Sequence, residues 1–412
     1  MPPRMMQLST LANGLKVASR HLPGSETAAL VLHADAGARH EPARLNGIAH
    51  LFEHMVFKGA GGRSARALSE AIEDVGGELN AATDRDSTAF TASVLPEHVD
   101  LGIELIADMI RRPHFDGAEL AKEKQVVLQE LGEARDTPND IIFDDLQAAA
   151  FADQALGRSV LGEEDSIAAI TADDLHDWRE GCYRAGSMML VAAGKVDHDR
   201  LVALAEERLG DLPAGEAPTP EGARFTGGTR VGRLRADQAH IAIGLAAPGL
   251  FEGDYHAARL FADILGGGAA SRLFHQVREE RGLAYTVWAS AQPWRDAGLL
   301  SIYAATSRKD GAATAALLEE VAGTCALDVT ERELERAKCQ ARASLLMYLE
   351  SPWGQANYLA RQLSTYGRLV EPAAAVRRVQ AVTLDEVRAA GARMLAGPRA
   401  RATIGFPTAR AA

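Results

Sequence analysis

The run His50-Leu51-Phe52-Glu53-His54 places two imidazoles four residues apart, with a carboxylate beside the second. On a helix, positions i and i+4 are about 40° apart, so both rings leave the same face. Two neutral imidazoles so placed can supply two of the four tetrahedral ligands of zinc. Glu53 is near enough to take a proton from a water at such a metal, which is how a nucleophile is made at neutral pH. The spacing is that of the inverted zincin motif, HxxEH. The competing reading is an amphipathic helix carrying two unrelated histidines, and a third ligand is what separates the two. Glu130 can provide it. It stands in the strongly helical run Lys122–Glu130, seven residues after Glu123, so the two carboxylates share a face two turns apart. Glu130 would close a His2Glu set with the fourth position left for water. Glu123 could orient a ligand or the water from the outer shell. Against this, lone glutamates on a helix also make an ordinary solvated face. Zinc, one ion per chain, is the expected cofactor, although the same donors accept Mn2+ or Co2+.

Holding these residues takes a scaffold, and the pattern along the chain supplies one. A helical stretch at 44–57 carries the motif, and another follows at 65–75 with Ser64 as N-cap. Leu15–His21, Ala28–Ala36, Glu78–Thr83 and Ser87–Val94 read as strands. Three helices fill 97–150, and a strand at 187–193 and a helix at 197–209 follow. The Gly- and Pro-rich segment around 210–230 then breaks the pattern. We assign 1–212 as the domain carrying the candidate zinc site, 213–228 as a linker and 229–412 as a second domain. Strands at 239–246, 283–291 and 298–305 alternate there with helices at 254–265, 270–281, 311–325, 330–350 and 353–365.

The halves repeat. Leu51-Phe52 matches Leu260-Phe261 at an offset of 209, and Glu119-Leu120, Lys124 and Pro138 match Glu333-Leu334, Lys338 and Pro352 at 214. The expected fold is α+β: two homologous domains, each a mostly antiparallel sheet with helices on one face, joined as a clamshell. At the same offsets His50, Glu53, His54, Glu123 and Glu130 face Arg259, Ala262, Asp263, Ala337 and Ser344. The second copy keeps the scaffold letters and none of the chemistry, as one active and one supporting domain would.

Composition sets the outer bounds. The 412 residues are 47% hydrophobic and 24% charged, with no apolar run long enough for a membrane helix. The net charge of −12 disfavours nucleic acid as a partner. It is uneven: residues 1–210 carry 20 Lys/Arg against 35 Asp/Glu, and the remainder 24 against 21. The acidic half would favour basic peptides, or it is a solvated surface. Three cysteines without a CxxC pair fit a reducing compartment. With no targeting pattern visible at the start, a cytoplasmic location is expected. Gly266-Gly267-Gly268 lacks the flanking residues of a phosphate loop.

The chain resembles the pitrilysin/insulinase family of zinc peptidases, in its short-subunit type related to the mitochondrial processing peptidase. The resemblance is carried by Gly47-Ile48-Ala49-His50-Leu51-Phe52-Glu53-His54-Met55, the Glu123…Glu130 helix and Gly77-Glu78-Leu79-Asn80-Ala81. In the second half it rests on Leu265-Gly266-Gly267-Gly268, Ser271-Arg272-Leu273-Phe274 and Arg278-Glu279-Glu280-Arg281-Gly282-Leu283-Ala284-Tyr285. It implies that His50, His54 and Glu130 bind zinc, that Glu53 is the general base and that Glu123 supports catalysis. It implies further that Leu79, Asn80 and Ala81 lie on an edge strand to which an extended peptide adds. Arg278 and Tyr285 would bind substrate, with the Tyr285 hydroxyl helping to hold the scissile carbonyl. The implied assembly is a homodimer enclosing a chamber that admits peptides and unfolded segments. The alternatives are the catalytic half of a heterodimer with an inactive paralogue, or a non-catalytic assembly subunit.

Overall fold

The structure, a computed structural model, describes residues 6–406; residues 1–5 and 407–412, the outer ends of the two predicted domains, lie outside it. The apolar runs AALVLHA (Ala28–Ala34) and MMLVAAG (Met188–Gly194) form strands buried at every position. Such strands need cover on both faces. They sit at the centre of a six-stranded sheet ordered Gln7–Thr10, Lys16–His21, Met188–Gly194, Ala28–Ala34, Thr88–Val94, Glu78–Thr83. Every neighbouring pair is antiparallel except Lys16–His21 with Met188–Gly194. One face, bearing Val17, Leu30, Leu32 and Leu190, packs on the helices Ile48–Val56, Val99–Arg111 and His198–Leu209. The opposite face, bearing Ala29, Val31, Met189 and Val191, packs on Ala356, Leu359, Ala360 and Leu363 of the helix Pro352–Tyr366.

A second sheet has five strands, ordered Ala284–Pro293, Gly298–Ser307, Gln238–Ala247, Arg399–Ile404, Gly228–Val231, with only the last pair parallel. Ile241, Ile243, Leu300 and Ile302 face the helices Tyr255–Gly266, Gly311–Asp328 and Leu384–Ala396. On the other side Ala242, Leu299, Ala400 and Ala402 meet Ile142, Leu146 and Ala149 of the helix Pro138–Ala150.

By compactness the chain forms two units. The first comprises the chain up to Leu131 with Ser159–Glu221 and Leu345–Glu371; the second comprises Gly132–Arg158, Gly222–Ser344 and the chain from Pro372. The mostly antiparallel sheets, each with a helical layer on one face, follow the sequence reading. The sequence boundary at 213–228 does not show that each unit also contains a helix from the other half of the chain. The two exchanged helices begin at Pro138 and Pro352, one of the pairs on which the 214-residue repeat rests. Two local elements also differ. The helix expected at 270–281 is a π-helix over Phe274–Glu279, and the expected linker already opens a strand at Gly228–Val231.

Candidate metal centre

The motif helix Ile48–Val56 is built by apolar periodicity: Ile48, Leu51, Phe52, Met55 and Val56 are buried, while His50, Glu53 and His54 share the half-buried side. Phe52 anchors it, stacked on Tyr183 with ring centroids 4.8 Å apart and edge-on to Phe115 at 5.5 Å. The chain enters the helix through Gly47 at φ +96°, where a Cβ would also stand 2.9 Å from the Leu161 carbonyl oxygen. The buried Glu41 caps the first turn. Its carboxylate accepts from the Gly47 and Ala49 amides, both at 2.9 Å, and from Asn46 Nδ2 at 2.8 Å. A carboxylate there satisfies free amides and suits the positive end of the helix dipole. Glu41→Ala is expected to lower stability in urea unfolding by about 2–3 kcal/mol, because buried donors lose their acceptor. An unchanged midpoint would refute the cap.

The second helix, Gly117–Asp136, is seeded by Asp116, whose Oδ1 accepts from the Ala118 and Glu119 amides at 2.9 and 3.1 Å. Leu120, Val127 and Leu131 bury one side of it. Glu130 Oε2 comes to 3.5 Å from His54 Nε2 and 3.8 Å from His50 Nε2. One donor atom from each of the three residues lies within 4.8 Å of the others. Tetrahedral ligands at about 2.0–2.2 Å from zinc stand roughly 3.3–3.6 Å apart, close to these separations.

The chemistry of the donors fits such an ion. Burial and the neighbouring His54 pull the His50 pKa down to about 4, which keeps this imidazole neutral at pH 7. The carboxylate of Glu123, only 5% exposed, accepts from His54 Nδ1 at 3.2 Å. That bond fixes the tautomer and leaves the Nε2 lone pair on the Glu130 side. Lys58 Nζ lies 2.8 Å from the other Glu123 oxygen. Among the described residues, His50, His54 and Glu130 are the one group of three His, Cys, Asp or Glu that converges in this way. Arg259, Asp263 and Ser344 of the second copy form no such group.

Glu53 adjoins the ligand pair. Its Oε2 is buried and has no hydrogen-bond partner among the described residues, leaving a lone pair for a group the chain does not supply. Burial raises its pKa, opposed by hydrogen bonding from Thr83 and by His54. Thr83 ends the strand Glu78–Thr83, and its hydroxyl donates to the Ala49 carbonyl at 3.4 Å, tying that strand to the motif helix. Among the described residues this strand, with Leu79, Asn80 and Ala81, forms one edge of its sheet and pairs only with Thr88–Val94.

Arg278 and Tyr285 belong to the second unit. Arg278 donates to the Tyr285 carbonyl at 3.0 Å, and its guanidinium lies 4.5 Å from the Tyr285 ring centre and 4.6 Å from that of Phe274. Tyr285 sits where the register slips between Ala284 and Thr286, a bulge that leaves its side chain 77% exposed. Two of the three cysteines are buried, and burial pushes the Cys182 and Cys325 thiols up to about 12, away from reactivity. No helix among the described residues is long and apolar enough to cross a membrane.

Of the residues named from the sequence, the structure brings His50, His54 and Glu130 together, sets Glu123 against His54, and leaves Arg278 and Tyr285 in contact with each other. Sequence reasoning missed Glu41 and Lys58. Glu41 lies outside the helix it caps, between two short 3-10 turns, and carries no local mark. Lys58 was findable, since it continues the four-residue spacing of His50 and His54.

Comparison with known proteins places these features in context. The profile of Insulinase (Peptidase family M16) matches residues 16–164, and that of the Peptidase M16 inactive domain matches 169–341. An uncharacterised zinc protease of Mycobacterium leprae is 34% identical over 394 residues, covering 94% of this chain and 88% of that protein. The mitochondrial-processing peptidase subunit beta of Lentinula edodes is 34% identical over 404 residues, covering 93% and 86%. Among solved structures, a protease from Helicobacter pylori superposes with a TM-score of 0.88 at 20% identity, covering 98% of this chain and 99% of that one. A peptidase M16 inactive domain structure from Pseudomonas fluorescens gives 0.90 at 23%, covering 98% of each. At these identities the structures speak to the fold.

Proposed function

The chain belongs to the insulinase family of peptidases, family M16, and on that premise we propose that it is a zinc-dependent metalloendopeptidase acting on extended or unfolded polypeptide. The observation that carries the reading is the convergence of His50, His54 and Glu130 with the buried carboxylate of Glu53 alongside. His50, His54 and Glu130 would hold one zinc per chain. When bound, zinc polarises a carbonyl and makes water more acidic. Glu53 accepts the proton of the attacking water on its buried carboxylate and passes it to the leaving amine. Glu123 keeps His54 in the ligating tautomer.

The open edge of Glu78–Thr83 offers backbone groups to an extended substrate, with Leu79, Asn80 and Ala81 lining the added strand. That pairing reads backbone and tolerates varied sequence. Arg278 and Tyr285 would add substrate contacts, as the family resemblance implies. Because one chain carries both sets, the proposed assembly is a homodimer enclosing a chamber. The likeness to a protein named as a subunit beta keeps pairing with a different chain as the alternative.

Size fractionation of the purified chain, with each fraction tested on an unstructured peptide library, examines these points together. Cleavage should co-elute with a dimer, vanish with a chelator and return with zinc. Cleavage that survives complete metal removal would overturn the proposal.

A further inference from the structure

His50, His54 and Lys58 repeat every four residues, and Glu123 and Glu130 stand seven apart. A stripe of nitrogen bases on one segment therefore meets a stripe of carboxylates on another. The pairing is staggered: Glu130 lies against His50 and His54, and Glu123 lies against His54 and Lys58. We infer that Lys58 is a positioning residue for the metal centre: by holding the second oxygen of Glu123 it fixes the carboxylate that fixes His54, and so sets how tightly the ion is held. This rests on His50, His54 and Glu130 being the ligands.

The geometry asks for such a residue. A carboxylate held by one bond can swing about its last torsion; one held at both oxygens cannot. The 3.2 Å contact from His54 uses one oxygen of Glu123, and the 2.8 Å contact from Lys58 uses the other. The second contact is charge-assisted, hence short and strong. It also supplies a counter-charge to a carboxylate that is almost wholly buried, where an isolated anion is costly. Lys58 itself is 32% exposed along its side chain, so the ammonium reaches inward from the rim. Its backbone amide donates to the Met55 carbonyl at 3.1 Å, a three-residue turn that closes the motif helix, and its contact with Glu123 brings the ammonium to the same side as His54. No direct contact with a metal or substrate is required of it.

The test is the zinc dissociation constant of the full chain, measured by competition with a chromogenic chelator. Removing an outer-shell partner typically weakens metal binding 10–100-fold. For Lys58→Met, one contact further out, about tenfold weakening is expected. Lys58→Arg, which keeps a charged donor, should recover most of it. Correlated 1H–15N spectra of the histidine rings should show His54 protonated at Nδ1 in the wild type and a mixed tautomer in Lys58→Met. A purely structural role would leave that signature alone. If Lys58→Met does not fold, Lys58→Gln carries the same test, with an intermediate loss expected. Wild-type zinc affinity in Lys58→Met, or no recovery in Lys58→Arg, would overturn the inference. His50→Ala separates its failure from that of the proposed function. If His50→Ala destroys zinc binding and Lys58→Met does not weaken it, only the role of Lys58 falls. If neither changes zinc binding, the ligand assignment falls with it.

Discussion

Replacing Glu53 by Gln is expected to lower kcat/KM on an unstructured peptide by about 10²–10⁴-fold while the chain still binds zinc, because a positioned proton acceptor typically contributes that much. Glutamine has nearly the same shape, so packing around the motif helix should survive. What it loses is the ability to take a proton on Oε2, the buried atom without a hydrogen-bond partner among the described residues. Glu53 is outside the converging donor group formed by His50, His54 and Glu130, so metal content should not follow activity down. Kinetics and elemental analysis on one preparation decide the matter. Activity within tenfold of wild type with zinc bound would remove Glu53 from the mechanism; joint loss of zinc and activity would make it a support of the ligand set instead.

What the sequence could show of this centre depended on how local each determinant is. His50, Glu53 and His54 were legible because a helix has a fixed period and four residues bring two rings together. Glu123 and Glu130 were legible for the same reason, two turns apart on one helix; that both would face His54 was not, since it depends on how two helices pack. The strand Glu78–Thr83 showed in its alternation, but a strand's pattern does not say whether it ends up at an edge. The exchanged helices Pro138–Ala150 and Pro352–Tyr366 show the limit most clearly. Their apolar faces announce that something must cover them, and nothing in those faces says which sheet. The repeat did mark the two as equivalent through Pro138 and Pro352, without saying that each would pack on the sheet of the other half of the chain. Tyr285 was assigned to substrate binding by resemblance, and the structure keeps it in the strand Ala284–Pro293. A one-residue slip in register, which sequence cannot register, turns it outward. Lys58 was overlooked because a lysine at a helix end usually belongs to solvent; its four-residue spacing from His54 hinted otherwise, and its distance to Glu123 gives it a different part.

Glu130→Ala should have the largest effect on metal binding, and comparing it with Lys58→Met tests the layered organisation of the site. Both imidazoles lean on the same Glu130 oxygen, at 3.5 and 3.8 Å, so under the proposed His2Glu site its removal takes away a direct ligand and the anionic one. Structural zinc sites hold the ion by roughly 10–16 kcal/mol shared over four ligands. Loss of one ligand should therefore exceed the 10–100-fold typical of an outer-shell change, and a loss of about a hundredfold or more in zinc affinity is expected. Peptide cleavage should vanish at ordinary zinc concentrations and be partly restored by excess metal if the two histidines still form a weak site. The second copy of the fold offers no reserve, having Arg259, Asp263 and Ser344 at the corresponding positions. The wild type should accordingly bind one zinc per chain and Glu130→Ala none under the same conditions. Retention of one tightly held zinc in Glu130→Ala would place the ion elsewhere and undo the His2Glu assignment, while a loss no greater than that of Lys58→Met would move Glu130 out of the ligand set and into the supporting shell.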